Sequence, residues 1–248
     1  MRKIYLVPNF VTTANLFCGF YAIVASIQAD YLVAAWAILA AGVFDLLDGR
    51  IARMAKATSE FGGEYDSMSD LVSFGLAPAL LLYQWSLHPF GRIGWLASFI
   101  FVTCGALRLA RFNVNIAVIP KAYFQGLPIP MAAGMVSTFI IFSHATGWFD
   151  GTNAGVITLV MALALGLFMI STIPFPSFKE LHWRSSATFG YLLVGVLIMI
   201  LIAARPEVTI FLLLSGYVLF SFFLFLFNYL RRQTSSAKVT KFSEHAKH

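Results

Sequence analysis

Charged residues are scarce in this chain of 248: Asp, Glu, Lys and Arg make up 11% of it, less than half of the roughly 25% usual in soluble domains. Hydrophobic residues supply 59% and the mean hydropathy is +0.80, more apolar surface than a soluble core of this size can bury. Soluble, disordered and collagen-like chains are excluded on those grounds. Cysteine is equally sparse. Cys18 and Cys104 both lie inside apolar runs, which excludes a disulfide scaffold, offers no zinc-spaced cluster and leaves them as inert core thiols. His88 and His182 are single loop residues with no partner at ligand spacing. No small-residue cleavage site closes the first apolar run at signal-peptide length, so it reads as a retained helix.

What the chain has instead is long apolar runs. A spanning helix needs roughly 20 mostly apolar residues, and windows of that kind fall at 10–29, 31–53, 66–86, 93–112, 129–147, 154–172, 186–204 and 207–230. The expected fold is an all-α, polytopic membrane bundle of about eight transmembrane helices. It divides into a membrane domain, 1–230, and a basic tail, 231–248, expected to be disordered. With the N-terminus inside, all 17 basic residues except Arg92 and Arg205 fall on the inner side, which places both termini in the cytoplasm. The net charge of +6 is then a topology signal and an attraction to anionic lipid, with no nucleic-acid partner implied.

The acids are unevenly placed. Asp45 and Asp48 stand three residues apart and Asp66 and Asp70 four, so each pair lies on one helix face at the inner end of a span. An aspartate in the middle of a membrane helix costs about 2.5–3.5 kcal/mol, less near the interface, and four together need a compensating cation. Oxygen donors without nearby His or Cys suit Mg2+ or Mn2+ better than zinc. Four carboxylates suffice for two such ions, the clamp used for displacement at phosphorus. Gly49 and Ala52 continue the face of Asp45 and Asp48, so a diphosphate could approach the backbone, and Arg53 offers a planar fork two turns on. For any one acid the alternative is a solvated helix end paired with Arg50, Arg53 or Lys56. For the group it is an ion or proton pathway, although a pathway would scatter acids over several depths and helices.

Written out from Asp45, the residues are D-L-L-D-G-R-I-A-R, eight more, then G-G-E-Y-D-S-M-S-D. This resembles the signature of the CDP-alcohol phosphotransferase family, D-x-x-D-G-x-x-A-R-x8-G-x-x-x-D-x-x-x-D, at every fixed position: Asp45, Asp48, Gly49, Ala52, Arg53, Gly62, Asp66 and Asp70. Other stretches are similar to the polytopic, serine-using members of that family: P-N-F-V-T-T-A-N-L-F-C-G, S-D-L-V-S-F-G-L-A-P-A, G-A-L-R-L-A-R-F-N and F-Q-G-L-P-I-P. The likeness covers residues 1 to about 135, and the later helices carry no motif. It implies attack of an alcohol on CDP-diacylglycerol with loss of CMP. It further implies metal ions on Asp45, Asp48 and Asp66, with Asp70 as the general base that also touches a metal. By the same resemblance Gly49, Arg53 and Ser59 contact the CDP-lipid, Pro8 and Asn9 lie on its nucleotide side, and the protein is a homodimer in the cell membrane with its site facing the cytoplasm.

The motif leaves the acceptor open. L-serine brings a carboxylate and an ammonium, so its pocket needs a cation and oxygen partners. Arg108 and Arg111, about one turn apart, and Asn113 and Gln125 beside the same loop are the candidates. As positive-inside anchors the two arginines have an equally good alternative role. Glycerol 3-phosphate or an inositol phosphate would want a denser basic pocket, which two arginines do not exclude. The resemblance within 105–113 and 124–130 favours serine. The same chemistry giving phosphatidylglycerol phosphate, and cation transport, are the alternatives.

Overall fold

The computed structural model describes residues 6–54, 59–115, 123–149, 153–176 and 188–245. Its helices are α1 (Leu6–Ile27), α2 (Tyr31–Met54), α3 (Glu60–Asp70), α4 (Ala77–Leu82), α5 (Arg92–Asn115), α6 (Ile129–Thr146), α7 (Gly155–Ile170), α8 (Thr188–Ala204) and α9 (Pro206–His245). A π-helical turn, Leu71–Leu76, joins α3 to α4, and a second, Tyr83–Leu87, leads to a 3-10 turn at His88–Phe90. Two short strands, β1 (Tyr123–Gln125) and β2 (Pro174–Pro176), pair antiparallel with Phe124 opposite Phe175. Apart from that ladder the described residues are helical, as a membrane bundle requires.

Five described helices, α1, α2, α5, α6 and α9, are long and apolar enough to cross a membrane. The window expected at 66–86 is divided among short helical segments, and α7 and α8 are shorter apolar helices. The tail does not match its expected disorder: α9 runs on through Arg231 to His245. No glycine or proline interrupts 231–245, so nothing local stops a helix already nucleated upstream.

Burial is inverted relative to a soluble bundle. Ala22, Ala34, Ala35 and Ala41 are fully inaccessible and let α1 and α2 lie close together, whereas Phe17, Leu46, Phe99 and Phe223 are each more than half exposed. Small residues inside and large apolar ones outside suit a lipid surround. The α1–α2 turn is a Schellman end with alanine in the glycine position: Ala29 has φ 64, and the N–H groups of Ala29 and Asp30 donate to Ser26 O and Ala25 O. Helix α6 sits at the centre, against α2, α4, α5, α7 and α9, and is buried without a break from Ala132 to Ser143.

The site depends on how α1 crosses the α3–α4 path. Ser69 Oγ donates to Thr12 O at 3.2 Å, Asn15 Nδ2 to Asp70 Oδ1 at 3.1 Å, and Ser73 Oγ to Asn15 O at 3.0 Å. One turn beyond Asn15, Gly19 meets the π-turn so closely that a Cβ there would lie 2.6 Å from Ser73 Cα. The π-turn has its own cause. Pro78 has no N–H, and its ring would press on the carbonyl of Phe74 in an α-helix; the wider turn, in which Ala77 N–H reaches back to Val72 O, makes room for it. Replacing Gly19 by Ala should therefore force α1 and the π-turn apart at a cost of about 1–3 kcal/mol, read as a lowered midpoint in thermal unfolding of the detergent-solubilised protein.

Candidate active site

The two aspartate pairs meet where the end of α2 faces α3. Carboxylate oxygens of Asp45, Asp48 and Asp66 lie within 4.8 Å of one another. Asp48 is 4% exposed, with the Thr12 hydroxyl and the Gly49 N–H against its carboxylate. Its Oδ2 and the Oδ1 of Asp66 are buried with no hydrogen-bond partner among the described residues. Buried carboxylate oxygens without a partner are costly unless something else satisfies them. Opposite ligands about 2.1 Å from a Mg2+ ion stand about 4.2 Å apart, so the three carboxylates fit a hard divalent cation with small side-chain rotations. Asp70 lies one turn further along α3, 8% exposed, with one oxygen held by Asn15.

Some of the residues expected to meet the CDP-lipid come together at the start of α3. Ser59 N-caps α3, its Oγ accepting from Gly62 N–H at 3.0 Å. A Cβ on Gly62 would sit 3.1 Å from that Oγ and 3.6 Å from Asn9 Oδ1, so Asn9, Ser59 and Gly62 converge on the start of α3. A Cβ on Gly49 would meet nothing within 4 Å, which leaves that stretch of α2 backbone open to a bulky group. Pro8 is buried in α1, its carbonyl accepting from Thr12. The Arg53 side chain lies outside the described ones.

The three acceptor-pocket candidates with described side chains take different partners. Arg108 is 8% exposed and its Nε has no hydrogen-bond partner among the described residues; Asp70 is among the charges acting on its guanidinium. Arg111 turns instead to the end of α7, where Nη1 donates to Ile170 O at 2.7 Å and Nη2 to Met169 O and Ser171 O at 3.3 and 3.2 Å. Those carbonyls are ones a helix terminus leaves without intrahelical partners, and a cation there also suits the helix dipole. Gly126, at φ +78, packs against the same stretch, where a Cβ would lie 2.8 Å from Ser171 O. Asn113 Nδ2 donates to Ser67 Oγ at 3.0 Å, tying α5 to α3. The Gln125 side chain is outside the described ones.

Two residues at the cluster, Asn15 and Thr12, escaped the reading from sequence. Their signal was a pair of polar side chains inside an apolar run, which a membrane helix carries at a cost.

The chain belongs to the CDP-alcohol phosphatidyltransferase family, whose model matches residues 5–172. It is therefore an enzyme of phosphatidyl transfer, and the cation-transport alternative falls away. Among its relatives, the CDP-diacylglycerol–serine O-phosphatidyltransferase of Helicobacter pylori (strain ATCC 700392 / 26695) is 35% identical over 228 residues, 92% of this chain and 94% of the relative. The Bacillus subtilis (strain 168) protein of the same name is 33% identical over 70% of this chain and 92% of its own. The archaetidylserine synthase of Methanothermobacter thermautotrophicus is 37% identical over 68% of this chain and 69% of its own.

Arg111→Ala should leave the end of α7 uncapped. At about 1.5–3 kcal/mol for a hydrogen bond to a charged group, a thermal-unfolding midpoint several degrees lower is expected, with the α5–α7 contact as the region first lost in hydrogen exchange.

Proposed function

We propose that this protein transfers the phosphatidyl group of CDP-diacylglycerol to the hydroxyl of L-serine, giving phosphatidylserine and CMP. The observation that carries the reading is the buried Asp70, with the buried Arg108 in its field, next to three clustered carboxylates of which Asp48 and Asp66 each keep an oxygen without a hydrogen-bond partner among the described residues. The shared word in the names of the bacterial and archaeal relatives is serine, although the lipid differs, which supports the acceptor over glycerol 3-phosphate.

In this reading Asp70 takes the proton of the serine hydroxyl, the serine oxygen bonds to the lipid-bearing phosphorus, and the phosphorus–oxygen bond to CMP breaks. Asp45, Asp48 and Asp66, with Asp70 at the edge, would hold Mg2+ or Mn2+, two ions in the preferred stoichiometry, which supply charge stabilisation for the diphosphate when bound. Gly49 and the group at the start of α3, Asn9 and Ser59, would receive the nucleotide side of the substrate, with Pro8 framing Asn9 and Arg53 meeting a phosphate. Arg108 would pair with the serine carboxylate. Asn113 and Gln125 would border that pocket, and Arg111 would hold its wall in place from the end of α7. An amphiphilic substrate explains the location, since its acyl chains stay in lipid while the head group reaches polar side chains. The asymmetry of the basic residues supports a site and both termini on the cytoplasmic face of the cell membrane, and the exposed aromatic helices would serve a homodimer contact.

A product assay on the purified enzyme tests the reading: CDP-diacylglycerol with Mg2+ or Mn2+ and, separately, serine, glycerol 3-phosphate or inositol. Phosphatidylserine should form only with serine and metal, cease with EDTA, and fall by about 10²–10⁴ in Asp70→Asn. Any other lipid product would overturn the acceptor. Arg108→Ala should raise the KM for serine at least tenfold while the KM for CDP-diacylglycerol holds; an unchanged serine requirement would remove Arg108 from the pocket.

A further inference from the structure

We infer that Asn15 is a positioning residue that sets the orientation of the Asp70 carboxylate. The inference rests on the reading of Asp70 as the base. Asn15 is fully inaccessible, and its Nδ2 donates to Asp70 Oδ1 while its own Oδ1 has no partner among the described residues. An amide buried in a membrane helix with half its hydrogen-bonding capacity unmet is a poor choice for stability, since an apolar side chain of similar size would avoid the orphaned acceptor. What the amide does provide is a fixed partner for one oxygen of Asp70, which directs the other oxygen away from α1. Asn15 is itself held. Its main-chain carbonyl accepts from Ser73 Oγ, Ser69 fastens the preceding turn at Thr12, and Gly19 brings the next turn against Ser73. The carboxylate is thus gripped by a side chain whose backbone is anchored on the same helical path as Asp70. A base that must meet a hydroxyl at hydrogen-bond distance loses rate when its rotamer is free.

The role separates from a merely structural one through three variants of the full-length enzyme in detergent. Asn15→Leu should lower kcat by about 10–100-fold, the range seen when an orienting partner is removed. The KM values for serine and CDP-diacylglycerol and the Mn2+ affinity by electron paramagnetic resonance should stay within about threefold, and the unfolding midpoint should fall no further than in Ser73→Ala. Asn15→Ser, which retains a shorter donor, should recover part of kcat. Ser73→Ala loosens the backbone tie of Asn15 but leaves its amide on Asp70, so it should lower the midpoint and cost kcat much less than Asn15→Leu does. Retained kcat in Asn15→Leu, or an equal loss of kcat in Ser73→Ala, would overturn the assignment, as would failure of both Asn15 variants to fold. Wild-type enzyme that makes no phosphatidylserine would instead defeat the parent reading of the reaction.

Discussion

Carboxylates held this near one another repel, and the repulsion grows as water is withdrawn. Asp45, Asp48 and Asp66 have oxygens within 4.8 Å of each other at the edge of an apolar bundle, an arrangement that rigid surroundings must enforce and that a bound cation would relieve. Much of the fold can be read as that enforcement. α1 and α2 are joined by a tight Schellman turn and packed through alanines, while hydrogen bonds from Ser69 and Ser73 set α3 and its π-turn against α1. The acids therefore meet because two helical units are each fastened to the same first helix.

The helical character and the carboxylate cluster were legible in the sequence because both are local. Apolar runs declare helices, and three- and four-residue spacings put aspartates on one face. Features that depend on a partner far along the chain were not legible. Asn15 and Asp70 are separated by 55 positions, and no spacing rule connects them. Arg108 and Arg111 looked equivalent because they share a helix face, yet one stays buried near Asp70 and the other spans to α7. The helical course of 231–245 was missed for the opposite reason: its polar composition reads as tail, while its backbone simply continues α9.

An enzyme acting on an amphiphile must satisfy two solvents within a few ångströms. The division falls along α2, whose first part is apolar and whose last turns carry Asp45, Asp48 and Gly49. Thr12 of α1 meets Asp48 there and Asp66 of α3 joins the same cluster, so the polar site lies at that end of α2 and the apolar surface elsewhere can stay in lipid.

The alanine packing of α1 against α2 also determines how the protein responds to force. Alanine has no side-chain rotamers to change, so an interface built from Ala22, Ala34, Ala35 and Ala41 cannot absorb displacement by repacking. The two helices joined at the Ala29 turn are therefore fixed to each other as one stiff hairpin. Asp45 and Asp48 lie near the far end of that hairpin, so the helix that carries them is held as stiffly as the turn that starts it.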